Sequence, residues 1–348
     1  MSGFRETLNR NKKEIEAYMR VKPLPVKIAH VASYVPEKTI DNDEIMRQMA
    51  LTGSGNLLYR AVGSKEKRVI EKDQMGSDML AKVGLKILQE SNTDPSSIDK
   101  LICSCDPADQ AAPDTAVVTQ AKIGLSCPAF GVSMSCVGWL CGINIAIGFL
   151  AKDDNKILVL SACTGGSKYF FKNPMHRAIF GDGAGGALLE KDERAKQILQ
   201  IDLLTLGQYY KDIFAPNPWT TVPKEIPDPY RDAFFMNPDN RVFFDGVDRH
   251  IRPFYLKQFE VSGLKPEDIS LFLVHQASMP LFNYTVESLR IPKDRVTDSF
   301  WMYGNTVSAE LPILLDQELR SGGIKKGGLV YFLTYGAGFT AGAMIARF

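Results

Sequence analysis

The two halves of the chain repeat one local pattern, and that repetition limits its fold more than any other feature. Residues 91–105 read S-N-T-D-P-S-S-I-D-K-L-I-C-S-C, and residues 262–277 read S-G-L-K-P-E-D-I-S-L-F-L-V-H-Q-A. Each is a helix end, a proline–acid turn and then an apolar strand. Each half also closes on glycines followed by a strand of small residues: G-D-G-A-G-G-A-L-L-E at 181–190 and Y-G-A-G-F-T-A-G-A-M-I-A at 335–346. At 348 residues the chain exceeds the usual size of a single core. Duplicated βαβ halves packed on one another are therefore expected.

Strands and helices alternate through both halves, the signature of an α/β fold with mostly buried strands. K-I-L-V-L-S-A-C at 156–163 is an uninterrupted apolar strand, and Asp41 is placed to cap a short helix. The expected divisions are an N-terminal helical extension over 1–25, a first half over 26–195, a connector or cap over 196–250 and a second half over 251–348. The stretch from about 205 to 245 is irregular and rich in Pro and aromatic residues, as in F-A-P-N-P-W-T-T-V-P-K-E-I-P-D-P-Y. A long loop of that composition is expected to be an ordered cap or a tunnel lining.

Composition removes several classes of function. A net charge of +1 provides no general attraction to nucleic acid or to a membrane surface. The longest apolar stretch, 137–151, is too short to span a bilayer and contains Asn144. The N-terminus is polar and includes acids, unlike a signal or transit peptide, so a cytoplasmic location is expected. The six cysteines, at 103, 105, 127, 136, 141 and 163, show no C-x-x-C spacing, and the four histidines are dispersed. No metal site is expected. Five of these cysteines read as small buried hydrophobes, with Cys103 and Cys105 on one face of a strand.

Cys136 is different. It follows a short extended segment and opens the apolar helix pattern V-G-W-L-C-G-I-N-I-A-I. A thiol at a helix N-terminus gains from the local N–H groups, which stabilise a thiolate and can also hold an oxyanion. Far downstream, His275 ends the strand L-F-L-V, and Asn305 lies in the loop Y-G-N-T before another helix. Cys, His and Asn at strand and loop ends point to acyl-thioester chemistry.

Five motifs now stand in order: S-C-V-G-W, F-G-D-G-A-G, V-H-Q-A, Y-G-N-T-V-S-A-E-L-P and Y-G-A-G-F-T-A-G-A. Together they resemble the ketoacyl-ACP synthase III family of the thiolase superfamily, from about residue 27 to the C-terminus. The resemblance implies a thiolase fold with duplicated five-stranded halves in an αβαβα core. It implies a β-ketoacyl synthase, an acyltransferase that joins acyl thioesters by Claisen-type, decarboxylative condensation. Cys136 would carry the primer acyl group, while His275 and Asn305 would bind the carbonyl of the second thioester. The backbone N–H groups of Cys136 and Ala337 would form the oxyanion hole, and Ala112, Tyr335 and Phe339 the substrate pocket. Gly181, Gly183 and Gly185 would be structural. A homodimer using acyl-CoA or acyl carrier protein thioesters, with no resident cofactor, follows by the same resemblance.

The departures bear on the substrate. Leu57 stands where housekeeping members place a Trp against the CoA adenine, and Pro280 where an Arg helps to dock acyl carrier protein. Ala112 stands, by ungapped counting from Cys136, where the bacterial housekeeping enzyme has a Phe that reaches into the partner subunit's acyl pocket, and the smaller side chain should enlarge that pocket. No Glu occurs between 91 and 189, the region where relatives joining two long chains place a base, although Asp109 or Asp114 could substitute. The expected setting is polyketide or fatty-acid-derived secondary metabolism. Acyl transfer to an oxygen or nitrogen nucleophile is one alternative. An inert partner subunit of another ketosynthase is the other, and the intact Cys-His-Asn trio argues against it.

Overall fold

A strand covered by helices on one face and packed inward on the other loses polar alternation, and Lys156–Cys163 shows it, with every residue after the lysine buried. The computed structural model describes residues 24–195, 197–215, 226, 233–239 and 241–348. The first half supplies β1 (Val26–Tyr34), the short pair β2 (Thr39–Asp41) and β3 (Glu66–Arg68), then β4 (Lys100–Asp106), β5 (Ala129–Gly131), β6 (Lys156–Cys163) and β7 (Gly183–Lys191). The second supplies β8 (Ile198–Tyr209), the short pair β9 (Ile213–Phe214) and β10 (Phe235–Met236), then β11 (Leu271–Val274), β12 (Leu329–Gly336) and β13 (Gly338–Arg347).

The main sheets have the orders β1-β7-β6-β4-β5 and β8-β13-β12-β11. Their directions agree position by position. In each, two antiparallel pairings are followed by a parallel one. The first sheet ends on parallel β5. Its counterpart in the second half is a single parallel bridge from Phe272 to Val296. The main sheet of the second half thus has four strands among the described residues where five were expected. Between the turn Lys293–Arg295 and the helix Phe300–Tyr303, the chain passes β11 too briefly to build a ladder.

Two helices, Gly138–Leu150 and Glu310–Ser321, lie between the sheets. Trp139, Ile143 and Ile147 of the first and Leu311, Leu314 and Leu315 of the second share one core with Val159 and Leu189 of one sheet and Val330 and Phe332 of the other. The helices Gly76–Glu90 and Thr115–Ile123 cover the outer face of the first sheet. Arg252–Ser262 and Met279–Ser288 cover that of the second. Five layers result, and the duplication expected from the repeated motifs is present. The helix caps follow the local sequence: the Asp41 carboxylate accepts from Glu44 N–H at 2.7 Å, and Asp114 from Ala116 N–H at 2.7 Å.

One expected boundary moves. Residues 198–209, assigned to the connector, form β8 and pair along β13. Ile198 and Ile201 project into the inter-sheet core, so this strand belongs to the second half. The expected extension over 1–25 lies outside the described residues except for its last two. Most of the aromatic Pro-rich loop, 216–225 and 227–232, also lies outside them. No helix among the described residues is long and apolar enough to cross a membrane.

Candidate active site

The central helices place Cys136 and Asn305 at corresponding points of the two halves. Cys136 lies in a 3₁₀ turn, Ser135–Val137, that leads into the helix at Gly138. Asn305 lies just before the turn Val307–Ala309, which leads into the helix at Glu310. Ser135 (φ 44°) and Val307 (φ 52°) both adopt left-handed backbone, unusual for residues with side chains and recurrent at functional turns.

Cys136 is held from the opposite half. Its carbonyl accepts from Thr334 Oγ1 at 2.8 Å. A Cβ on Gly336 would lie 2.9 Å from both Cβ and Sγ of Cys136, so only glycine lets the β12–β13 turn approach the thiol. Ala337 occupies that turn and borders the same cavity as Cys136. The other five cysteines are free thiols pushed up in pKa by burial, which disfavours the nucleophilic thiolate.

His275 follows β11 and is fully buried, its N–H donating to Leu333 O at 2.8 Å. Its Nδ1 pairs with the carboxylate of Glu310, which is also buried. Nε2 has no well-formed hydrogen bond among the described residues, and the Cys136 thiol is the polar group it faces. Burial works against charge on this imidazole. Negative charge on Cys136 and on Glu310 outweighs burial, and the His275 pKa is raised to about 10.

Asn305 is clamped by the glycine segment of the first half. Its N–H donates to Ile179 O at 2.8 Å, and its carbonyl accepts from Gly181 N–H at 3.1 Å. A Cβ on Gly181 would fall 1.9 Å from Tyr303 O. Gly181→Ala should therefore push this clamp apart and lower the melting temperature, with a cost of about 1–3 kcal/mol typical of overpacking. An unchanged thermal melt would refute the steric argument. The Asn305 side-chain oxygen accepts from Val307 N–H at 2.7 Å, which leaves its amide N–H groups as donors; one lies 3.5 Å from Ala277 O.

Cys136 and Asn305 open onto a cavity of about 820 Å³, and Tyr335, Ala337 and Phe339 also border it. Its apolar wall includes Tyr169, Phe180 and Phe234, whose rings pack at 4.9–5.8 Å between centroids. Ile213, Phe214 and Met236, the described ends of the aromatic loop, extend that wall. The other end is polar. Cys103 and Cys105 share this side as expected, next to Asp106, whose carboxyl burial pushes up to about 6.

Ala112 is exposed and does not line the cavity of its own chain, and the adjacent Ala111, which does, is exposed as well. Gln110 and Asp114 also border the cavity. Asp109 and Asp114 border the cavity but are already engaged as caps, on Ser77 N–H at 3.2 Å and on Ala116 N–H. Sequence reasoning missed Glu310 and Thr334. The available signal for Glu310 was an acid inside Y-G-N-T-V-S-A-E-L-P, at the start of an apolar helix.

Known proteins share much of this sequence and fold. The sequence family 3-oxoacyl-acyl-carrier-protein (ACP) synthase III matches residues 130–207, and the family of its C-terminal part matches residues 259–348. The β-ketoacyl-acyl-carrier-protein synthase III of Caldanaerobacter subterraneus subsp. tengcongensis is 28% identical over 322 residues, covering 92% of this chain and 97% of that protein. The crystal structure of the Thermus thermophilus enzyme of the same name superposes with a TM-score of 0.83 at 28% identity, over 91% of this chain and 98% of that one. The Aquifex aeolicus enzyme gives 0.82 at 26% identity, over 93% and 100%. Xanthomonas campestris OleA, at 20% identity and a TM-score of 0.80, shares the fold. With its duplicated sheets, Cys136 and Asn305 at one cavity and His275 buried behind them, the chain is similar in sequence and fold to the ketoacyl-ACP synthase III-like condensing enzymes of the thiolase superfamily.

Proposed function

We propose that the protein is a ketosynthase that joins two acyl thioesters by Claisen-type condensation through an acyl-Cys136 intermediate. The observation that carries this is the convergence of three separate loops, with Cys136 and Asn305 bordering one cavity and the buried His275 facing Cys136 from behind it. Cys136 takes the acyl group from the first thioester and releases its thiol. The carbonyl of the second, a malonyl-type thioester, is bound by N–H donors of His275 and Asn305. Loss of CO2 leaves an enolate that those donors stabilise, and its carbon attacks the acyl-Cys136 carbonyl. The N–H groups of Cys136 and Ala337 hold the oxyanion of the acyl group. The capping duties of Asp109 and Asp114 favour decarboxylation over a carboxylate base as the source of the carbanion.

The donors are acyl-CoA or acyl carrier protein thioesters, used by a homodimer. The exposed Leu57 and Pro280 lack the stacking ring and the cation used by the housekeeping type, which supports a role in polyketide or fatty-acid-derived secondary metabolism. The test is mass spectrometry of the protein after exposure to a panel of acyl-CoAs, followed by malonyl thioester. A single acyl adduct on Cys136, discharged as a β-ketoacyl product, is expected. No adduct with any donor would reject the reading.

The same loop makes a further prediction. Ala111→Phe should shift competition between short and long acyl-CoAs toward the short, by about the 1–3 kcal/mol of an overpacked site. An unchanged competition would mean that residue 111 does not bound the acyl chain.

A further inference from the structure

Glu310 is the first residue of the helix Glu310–Ser321, where the helix dipole favours an anion. Its Oε2 accepts from Gln276 N–H at 3.0 Å and pairs with His275 Nδ1, while its Oε1 is buried with no partner among the described residues. A buried carboxylate in that condition is costly unless a positive charge lies against it. Its ion-pair partner is His275. The support behind the pair is rigid, because the Gln276 side chain donates to Thr297 O at 2.9 Å and accepts from Ser299 and Phe300 N–H at 3.1 and 2.9 Å.

This arrangement restricts the tautomer. A neutral imidazole that gives its Nδ1–H to a carboxylate has only a lone pair at Nε2 and cannot donate from there. We propose that Glu310 is a positioning residue that keeps His275 doubly protonated, so that Nε2–H is a donor in both half-reactions. The mechanistic use of this rests on the two-step reading above. The Cys136 thiolate, paired with the imidazolium, attacks the donor carbonyl carbon. The donor C–S bond breaks, and the leaving thiolate takes its proton from water. In the second half-reaction Nε2–H donates to the enolate oxygen as CO2 departs. The enolate carbon then bonds to the acyl carbon, and the Cys136 C–S bond breaks to return the thiolate beside His275.

Other groups face the pair as well. Tyr335 packs edge-on to His275, its hydroxyl bonded to Thr285 Oγ1 at 2.7 Å. Asp298 lies near enough to Glu310 to be raised, mainly by burial and further by that charge. The raised pKa of His275 agrees with the assignment.

The test is an NMR titration of protein labelled at histidine. With four histidines in the chain, His275 is identified by the signal missing from His275→Asn. In the wild type, Nε2 should be protonated from pH 6 to pH 8. In Glu310→Gln the midpoint should fall by about 1–3 pH units, the usual effect of one adjacent opposite charge. Iodoacetamide alkylation of Cys136 at pH 7 should slow, because a weakened imidazolium supports the thiolate less. Glu310→Asp, which retains the charge, should restore both in part. A wild-type His275 with a bare Nε2 at pH 7 would overturn the proposal even if Glu310→Gln fails to fold. An unchanged midpoint in a folded Glu310→Gln would do so too. No substrate enters the titration, so failure to form an acyl adduct would count against the ketosynthase reading and leave this assignment intact.

Discussion

Cys136→Ala is expected to remove the acyl adduct and reduce condensation to background, while the melting temperature changes little. The substitution deletes one sulfur at the cavity edge. It keeps the carbonyl that accepts from Thr334 and the backbone that opens the helix at Gly138. The remaining thiols do not offer a substitute. Cys163 and Cys103 are buried, and Cys105, which borders the same cavity, is held protonated by burial and by neighbouring acids. Intact-mass spectrometry after incubation with acyl-CoA reads the result. A stoichiometric adduct on the variant, located by peptide mapping to Cys105 or another thiol, would show that the nucleophile is misassigned.

Asn305→Asp should separate the two half-reactions. The carboxylate keeps an oxygen to accept from Val307 N–H, so the turn into the helix at Glu310 is preserved. What changes is the other arm, where an N–H donor facing the cavity becomes an acceptor beside a developing enolate. Losing one oxyanion donor typically costs about 10²–10³ in rate, and charge repulsion adds to that. Acylation of Cys136 should stay within a few-fold of wild type, because the thiol and its surroundings in the β12–β13 turn are untouched. Single-turnover assays would distinguish the steps: pre-acylated variant mixed with malonyl thioester should discharge at least a hundredfold more slowly. Equal loss in both steps would mean that Asn305 serves the first thioester as well.

Much of the fold was legible because it depends on local chemistry. The β6 segment is apolar on both faces, so it had to be an interior strand, and Asp41 caps a helix where short polar side chains precede an apolar run. The repeated proline–acid turn foretold two similar halves. β8 was less legible. Its later residues alternate between partly buried and exposed, because it forms the edge of its sheet, and the composition there passes gradually into the aromatic loop. The fifth strand position of the second half shrank to one bridge at Val296, a matter of path length between two turns that no side-chain pattern records.

The sequence by itself singled out the residues proposed to carry the chemistry. Cys136, His275 and Asn305 each occupy a strand or loop end whose local pattern is self-sufficient, and the glycines beside them are dictated by backbone approach. Only the tertiary structure decided what surrounds them. Ala111 borders the cavity of its own chain from a loop whose sequence has no periodicity to mark it. Glu310 stands behind His275 because a helix start from one part of the chain meets a strand end 35 residues away. Pairings of that kind depend on how helices and sheets stack, since packing brings distant groups within hydrogen-bond reach and excludes the water that would weaken their charges.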